Sequence, residues 1–139
     1  MINNSLKETE AKSFYYQQVI KLREEVFPDD YLLNQAIQAK KFIDLNYADN
    51  LNLNDIASEA AFSKFHFIRL FKKAYGKTPY QYLITVRVEK AKQFLKTGLP
   101  ITEVCFAVGF DSTSSFTNLF KKFTGLTPSN FQKKSNNTR

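Results

Sequence analysis

Apolar residues along this chain recur at spacings of three and four rather than two, which predicts helices and leaves the strand signals weak. Tyr15, Val19, Leu22 and Val26 form one stripe, predicting a first helix over 11–27. Pro28-Asp29-Asp30 breaks it, and Asp30 is suited to cap the next helix, over 31–46. Leu33, Ala36, Ile37, Phe42 and Ile43 are the expected core positions of that second helix, and 46–50 reads as a loop.

An internal repeat governs the rest of the chain. Asn54-Asp55-Ile56-Ala57-Ser58-Glu59-Ala60-Ala61-Phe62-Ser63 matches Thr102-Glu103-Val104-Cys105-Phe106-Ala107-Val108-Gly109-Phe110-Asp111. Further on, Phe67 matches Phe116, Leu70 matches Leu119, and Phe71-Lys72-Lys73 matches Phe120-Lys121-Lys122. Gly76 matches Gly125, Thr78-Pro79 matches Thr127-Pro128, and Tyr82 matches Phe131. One inserted residue near Ser112 reconciles the two halves of the alignment.

Each copy reads as a short helix, a tight turn and a longer helix. The short helices are expected over 53–60 and 101–108, the longer ones over 64–75 and 113–124. Ser63, and Asp111 or Ser112, are suited to cap the longer helices, which stop at Gly76 and Gly125. Thr78-Pro79-Tyr80-Gln81 combines a capping residue, proline at the first helical position and glutamine at the capping-box position. A connector helix therefore runs over 79–96, with Gly98 ending it, and spans roughly 27 Å at about 1.5 Å per residue. A last helix follows Thr127-Pro128.

The predicted fold class is all-α: two tandem helix-turn-helix subdomains, 31–78 and 98–134, joined by a connector over 79–97. With a helical extension over 1–30 and a disordered tail over 135–139, this makes about seven helices plus the N-terminal one.

A helical wheel divides each longer helix into two faces. In the first, Phe67, Leu70, Phe71 and Ala74 point inward, while Phe65, Arg69 and Lys72 point outward with Ile68 and Lys73 at the edges. In the second, Phe116, Leu119, Phe120 and Phe123 point inward, while Ser114, Asn118 and Lys121 point outward with Thr117 and Lys122 at the edges. The inner faces repeat and the outer faces differ.

Composition fits this plan. Fourteen phenylalanines and no tryptophan supply ring anchors for short helices. The net charge of +7 is unevenly spread. Residues 1–50 carry six Lys/Arg against eight Asp/Glu, a net −2, and residues 51–139 carry fourteen against five, a net +9. A basic region of this kind attracts polyanions, chiefly nucleic acid; the plainer reading is a solvated basic surface. The outer-face chemistry favours the first. Arg donates two bonds to guanine, Asn pairs with adenine, Phe and Ile touch the thymine methyl, and Lys neutralises phosphate.

Other chemistries find little support. The lone Cys105 excludes an intrachain disulfide and a cysteine zinc cluster, and it reads as a small core residue rather than a nucleophile. His66, the only histidine, is expected to pack or hydrogen-bond. Asp55, Glu59, Glu89, Glu103 and Asp111 form no catalytic motif, so neither an enzyme nor a metal or cofactor site is expected. Arg87 is expected to form a structural ion pair rather than to bind phosphate. No apolar run is long enough to span a membrane, and Met1–Thr9 lacks a signal-peptide plan, so a cytoplasmic location is expected.

Ala61-Phe62-Ser63-Lys64-Phe65-His66-Phe67-Ile68-Arg69-Leu70-Phe71-Lys72-Lys73, followed by Gly76-Lys77-Thr78-Pro79, resembles the first helix-turn-helix of the AraC/XylS regulators. The connector Pro79…Tyr82-Leu83…Arg87…Ala91…Phe94-Leu95 resembles theirs. The run Pro100-Ile101-Thr102-Glu103-Val104…Val108-Gly109-Phe110…Phe116…Phe120-Lys121-Lys122…Gly125…Thr127-Pro128…Phe131 is similar to the family's second unit.

The resemblance covers 36–134 and implies a monomer on double-stranded DNA, with two recognition helices in adjacent major grooves. Carried over by position, base readout falls to Phe65, Ile68 and Arg69 in the first head, and to Thr113, Ser114, Ser115, Thr117 and Asn118 in the second. Phosphate anchoring falls to Lys64, Lys72, Lys73, Lys121 and Lys122. Two positions depart from the family pattern: Ala61 stands where a turn glycine is usual, and Asn118 where an Arg is common.

The resemblance further implies a transcription activator that contacts RNA polymerase. With only 1–30 before the module, the chain resembles the short stand-alone regulators of the family. The alternatives are a protein-interaction module that docks a partner through Phe-rich helices, and a non-catalytic DNA-binding part of a larger regulator.

Overall fold

A computed structural model describes residues 30–52, 56 and 64–137. The chain divides into two compact units, Met1–Asn34 and Gln35–Arg139; of the first, only the opening residues of one helix are described. The helix expected over 11–27 lies outside the described residues, as do the Ser63 cap, the Ala61 turn and most of the helix expected over 53–60. Ile56, within that last stretch, is helical and buried.

Among the described residues there are six helices and no strand: α1 (Asp30–Asn46), α2 (Lys64–Tyr75), α3 (Pro79–Lys96), α4 (Ile101–Ala107), α5 (Thr113–Thr124) and α6 (Pro128–Asn137). The fold is all-helical, as the periodicity requires. Asp30 is the first residue of α1 rather than a cap ahead of it. The last helix continues to Asn137, into the stretch expected as tail. In α1, Ala36 and Ile43 are buried as expected, joined by Ala39, while Ile37 and Phe42 are half-buried. Leu33 is exposed because it lies one turn before the core begins.

The second unit holds two hydrophobic cores that share a wall. The first gathers Ala39, Ile43, Ile56, Phe67, Phe71 and Leu83. The second gathers Ile84, Val88, Ala91 and Leu95 of α3 with Val104, Cys105, Val108, Phe110, Phe116 and Phe120. Tyr47 packs against both. Burial pushes the Cys105 thiol up in pKa, consistent with a packing residue rather than a nucleophile.

The connector is fixed at both ends. The Thr78 hydroxyl accepts from the Gln81 amide at 3.2 Å, and Gln81 Oε1 accepts from the Thr78 amide at 3.0 Å, completing a capping box with Pro79 behind it. At the far end, Gln132 Nε2 of α6 donates to the carbonyls of Leu95 at 3.1 Å and Leu99 at 2.7 Å. The Leu95 carbonyl is among those a helix end leaves without an intrahelical donor, and the Leu99 carbonyl lies in the loop that follows.

The first lobe is tied to the connector by a polar trio. The Tyr82 hydroxyl donates to Asp44, and Lys40 Nζ donates to the same carboxylate at 3.1 Å while lying 5.4 Å from the centre of the Tyr82 ring. Burial, then the Asp44 hydrogen bond, raises the Tyr82 pKa above its ordinary 10.0. A group whose folded pKa is raised contributes stability below its unfolded pKa and loses it as pH rises through the folded value. Tyr82→Phe should therefore make the decline of the urea midpoint above pH 10 shallower than in the parent; an unchanged alkaline slope would remove Tyr82 from that balance.

Arg87 departs from expectation. Its Nε donates to the Tyr47 carbonyl at 2.7 Å and a terminal nitrogen donates to the Asp49 carbonyl at 2.8 Å, so the partners are backbone carbonyls instead of a carboxylate. Arg87 is 8% exposed, and its guanidinium lies 5.7 Å from the centre of the Phe110 ring. Burial lowers its pKa from the ordinary value. The carbonyl pair takes two of the five guanidinium donors without burying a second full charge.

Candidate nucleic-acid interface

The two longer helices are built alike. In α2, Phe67 and Phe71 are fully buried, Leu70 and His66 are nearly so, and the Phe67 and Phe71 rings lie 5.8 Å apart. In α5, Phe116 and Phe120 take the matching places, fully buried and 5.7 Å apart.

Both helices stop in the same way. The Gly76 amide donates to Lys72 O at 2.7 Å and the Gly125 amide to Lys121 O at 2.8 Å, with φ of +75° and +81°. Left-handed φ of this kind strains any residue with a Cβ. The next turn repeats too: the hydroxyls of Thr78 and Thr127 accept from the amides of Gln81 and Asn130 at 3.2 and 3.1 Å. The repeat in the letters is thus a repeat in the hydrogen bonds.

The outer faces are presented to solvent. On α2, Phe65 is 77% exposed, Arg69 is exposed, and Ile68 is half-buried at the edge. An exposed phenylalanine beside an arginine offers the pairing of ring and guanidinium that can contact base edges. On α5, Thr113, Ser114, Ser115 and Asn118 are exposed and Thr117 is half-buried. Ser112 caps this helix, its hydroxyl accepting from the Ser115 amide at 3.2 Å; Asp111, the other candidate, does not. Lys64, Lys72, Lys73, Lys121 and Lys122 are all exposed. Among the described residues none of these lysines, nor Arg69, forms an ion pair.

Two inner-face assignments fail near the helix ends. Ala74 is exposed, because Tyr75 occupies the last turn of α2, its ring 4.9 Å from Phe71 and 6.4 Å from Tyr82. Phe123 is 46% exposed, because Phe131 of α6 closes the core over Phe120 at 5.3 Å. Phe123 instead lines a groove of about 390 Å³ with Leu119 and Lys122, facing Lys77, Tyr80 and Ile84 across it. A wheel treats a helix as having one core along its length, whereas these cores end a turn early.

The turn that delivers α5 is a Schellman motif. Phe110 donates its amide to Cys105 O at 3.1 Å and Gly109 to Phe106 O at 3.2 Å. Gly109 adopts φ +102°, and a Cβ there would lie 2.8 Å from Arg87 Nε and 2.9 Å from the Tyr47 carbonyl. Arg87 therefore belongs with the elements that place α5, a role the sequence pattern did not reveal. Gly109, directly before the aromatic that Arg87 stacks on, was the available signal.

The profile of a family described as a helix-turn-helix domain matches residues 56–134, more than half of the chain. The chain is 38% identical over 96 residues to the bifunctional transcriptional activator/DNA repair enzyme AdaA of Bacillus subtilis, a match covering 68% of this chain and 46% of AdaA. It spans less than half the length of several curated relatives, from 27% to 46%.

Two solved structures are close in shape. The DNA-binding domain of AdpA, a global transcriptional factor in complex with a target DNA, superposes with a TM-score of 0.72 at 25% identity, covering 75% of this chain and 95% of that one. A transcriptional regulator with an AraC-type DNA-binding domain from Chromobacterium violaceum superposes with a TM-score of 0.67 at 26% identity, covering 73% and 92%.

Proposed function

Since the chain belongs to the AraC-type helix-turn-helix family, we propose that it is a sequence-specific DNA-binding transcription regulator, an activator, whose two recognition helices α2 and α5 enter adjacent major grooves. The observation that carries this reading is the duplicated helix with a conserved inner pair of phenylalanines and an exposed, non-identical outer face. Two scaffolds of one design with different surfaces suit an asymmetric duplex site.

In this reading Phe65, Ile68 and Arg69 read bases in the first groove, and Thr113, Ser114, Ser115, Thr117 and Asn118 read them in the second. Lys64, Lys72, Lys73, Lys121 and Lys122 hold phosphates. The protein acts as a monomer on DNA, without catalysis, in the cytoplasm. No helix among the described residues is long and apolar enough to cross a membrane. The activator role in AdaA's name supports activation; contact with RNA polymerase is part of the proposal.

The primary test is selection of bound duplexes from a random pool. It should return two half-sites centred about one helical turn apart; a single short site, or no enriched sequence, would reject the two-head arrangement. On the selected duplex, Arg69→Ala should cost about 1–3 kcal/mol and relax specificity at one base pair. If that variant discriminates cognate from scrambled DNA as the parent does, Arg69 is not at a base edge.

A further inference from the structure

We propose that the Arg87 clamp sets the separation of the two reading heads, and so makes this protein selective for the spacing between half-sites as well as for their bases. The proposal rests on the reading of α2 and α5 as two heads on one duplex.

Three parts of the fold meet at Arg87. The carbonyls of Tyr47 and Asp49 belong to the loop after α1, in the first lobe. The guanidinium comes from the middle of the connector. The Gly109–Phe110 turn, which leads directly into the Ser112 cap of α5, belongs to the second lobe. At Gly109 there is no room between these parts for even a methyl group. The Tyr47 ring packs against both cores and carries Lys90 Nζ 5.7 Å from its centre.

The connector has no glycine, and its one proline is at the first position, where it does not kink a helix. Head separation is then set by a helix without a kinking residue plus the clamp that holds both lobes to its midpoint. A planar fork gripping two carbonyls resists twist in a way a single point donor does not.

DNA makes this rigidity measurable. One added base pair moves the second half-site by about 3.4 Å and turns it by roughly 35°. The test uses the full chain on the selected duplex, on versions with one or two base pairs inserted or deleted between half-sites, and on a duplex keeping only the first half-site. Arg87→Lys keeps the charge but loses the fork. Gly109→Ala keeps Arg87 but displaces it, and so covers the case in which the first variant fails to fold. Both are assayed below their unfolding midpoints.

The parent should lose roughly tenfold or more in affinity for one inserted base pair. The variants should lose about threefold or less there, with affinity for the single half-site within about twofold of the parent. Variants that keep the parental spacing profile, or that weaken on every duplex by the same factor, would overturn the proposal. A parent indifferent to spacing would instead overturn the two-head reading, and is seen before any variant is made.

Discussion

Raising salt from about 50 to about 200 mM should weaken DNA binding roughly 500-fold, from a slope of about −0.9 per phosphate neutralised and the five lysines assigned to phosphates. Those lysines are exposed on the two longer helices and are not in ion pairs among the described residues, so each carries condensed counterions off the duplex when it docks. Fluorescence anisotropy of a labelled duplex across a salt series gives the slope directly. Lys72→Ala should make it shallower by about one and weaken cognate and scrambled duplexes alike, unlike Arg69→Ala. An affinity that does not move with salt would leave the lysines without a role at phosphates.

Phe120→Ala should lower folding stability by about 3–5 kcal/mol, a large share of the roughly 5–15 kcal/mol typical of a domain. Phe120 is fully buried, with the Phe116 ring 5.7 Å away and the Phe131 ring 5.3 Å away. Truncation leaves a cavity between Phe116 of the same helix and Phe131 of α6. Phe123→Ala, three residues on and 46% exposed, should stay within about 0.5 kcal/mol of the parent. Urea denaturation of both variants reads the contrast. Equal losses would mean that the wheel's inner face, not the observed one, describes α5.

That contrast also shows where sequence reading stops. Gly76 and Gly125, Thr78-Pro79-Gln81 and the alternation of Phe with Lys placed the connector and both longer helices, because each is a local signal: a left-handed stop, a cap, a buried stripe. The exposed residues of both heads were legible for the same reason. Ala74 and Phe123 were misplaced because burial at a helix end depends on which neighbour closes the core there, Tyr75 at the end of α2 and Phe131 of α6, and Leu33 because it precedes the core by a turn. Arg87 was misread on a longer scale. Its partners are carbonyls of Tyr47 and Asp49, about forty residues back, and every residue offers such an acceptor, so no side-chain pattern marks them.

The connector stands between the lobes in sequence but not in allegiance. Of its buried apolar side chains, Leu83 alone joins the first core; Ile84, Val88, Ala91 and Leu95 join the second, and Gln132 holds its last turn there. Local unfolding follows such divisions of contact rather than the chain's order. By that division the amides of residues 84–95 should exchange with the second lobe, while Tyr82 and Arg87 are the connector's polar ties to the first. The two lobes look like copies, yet the connector's core belongs mostly to one of them.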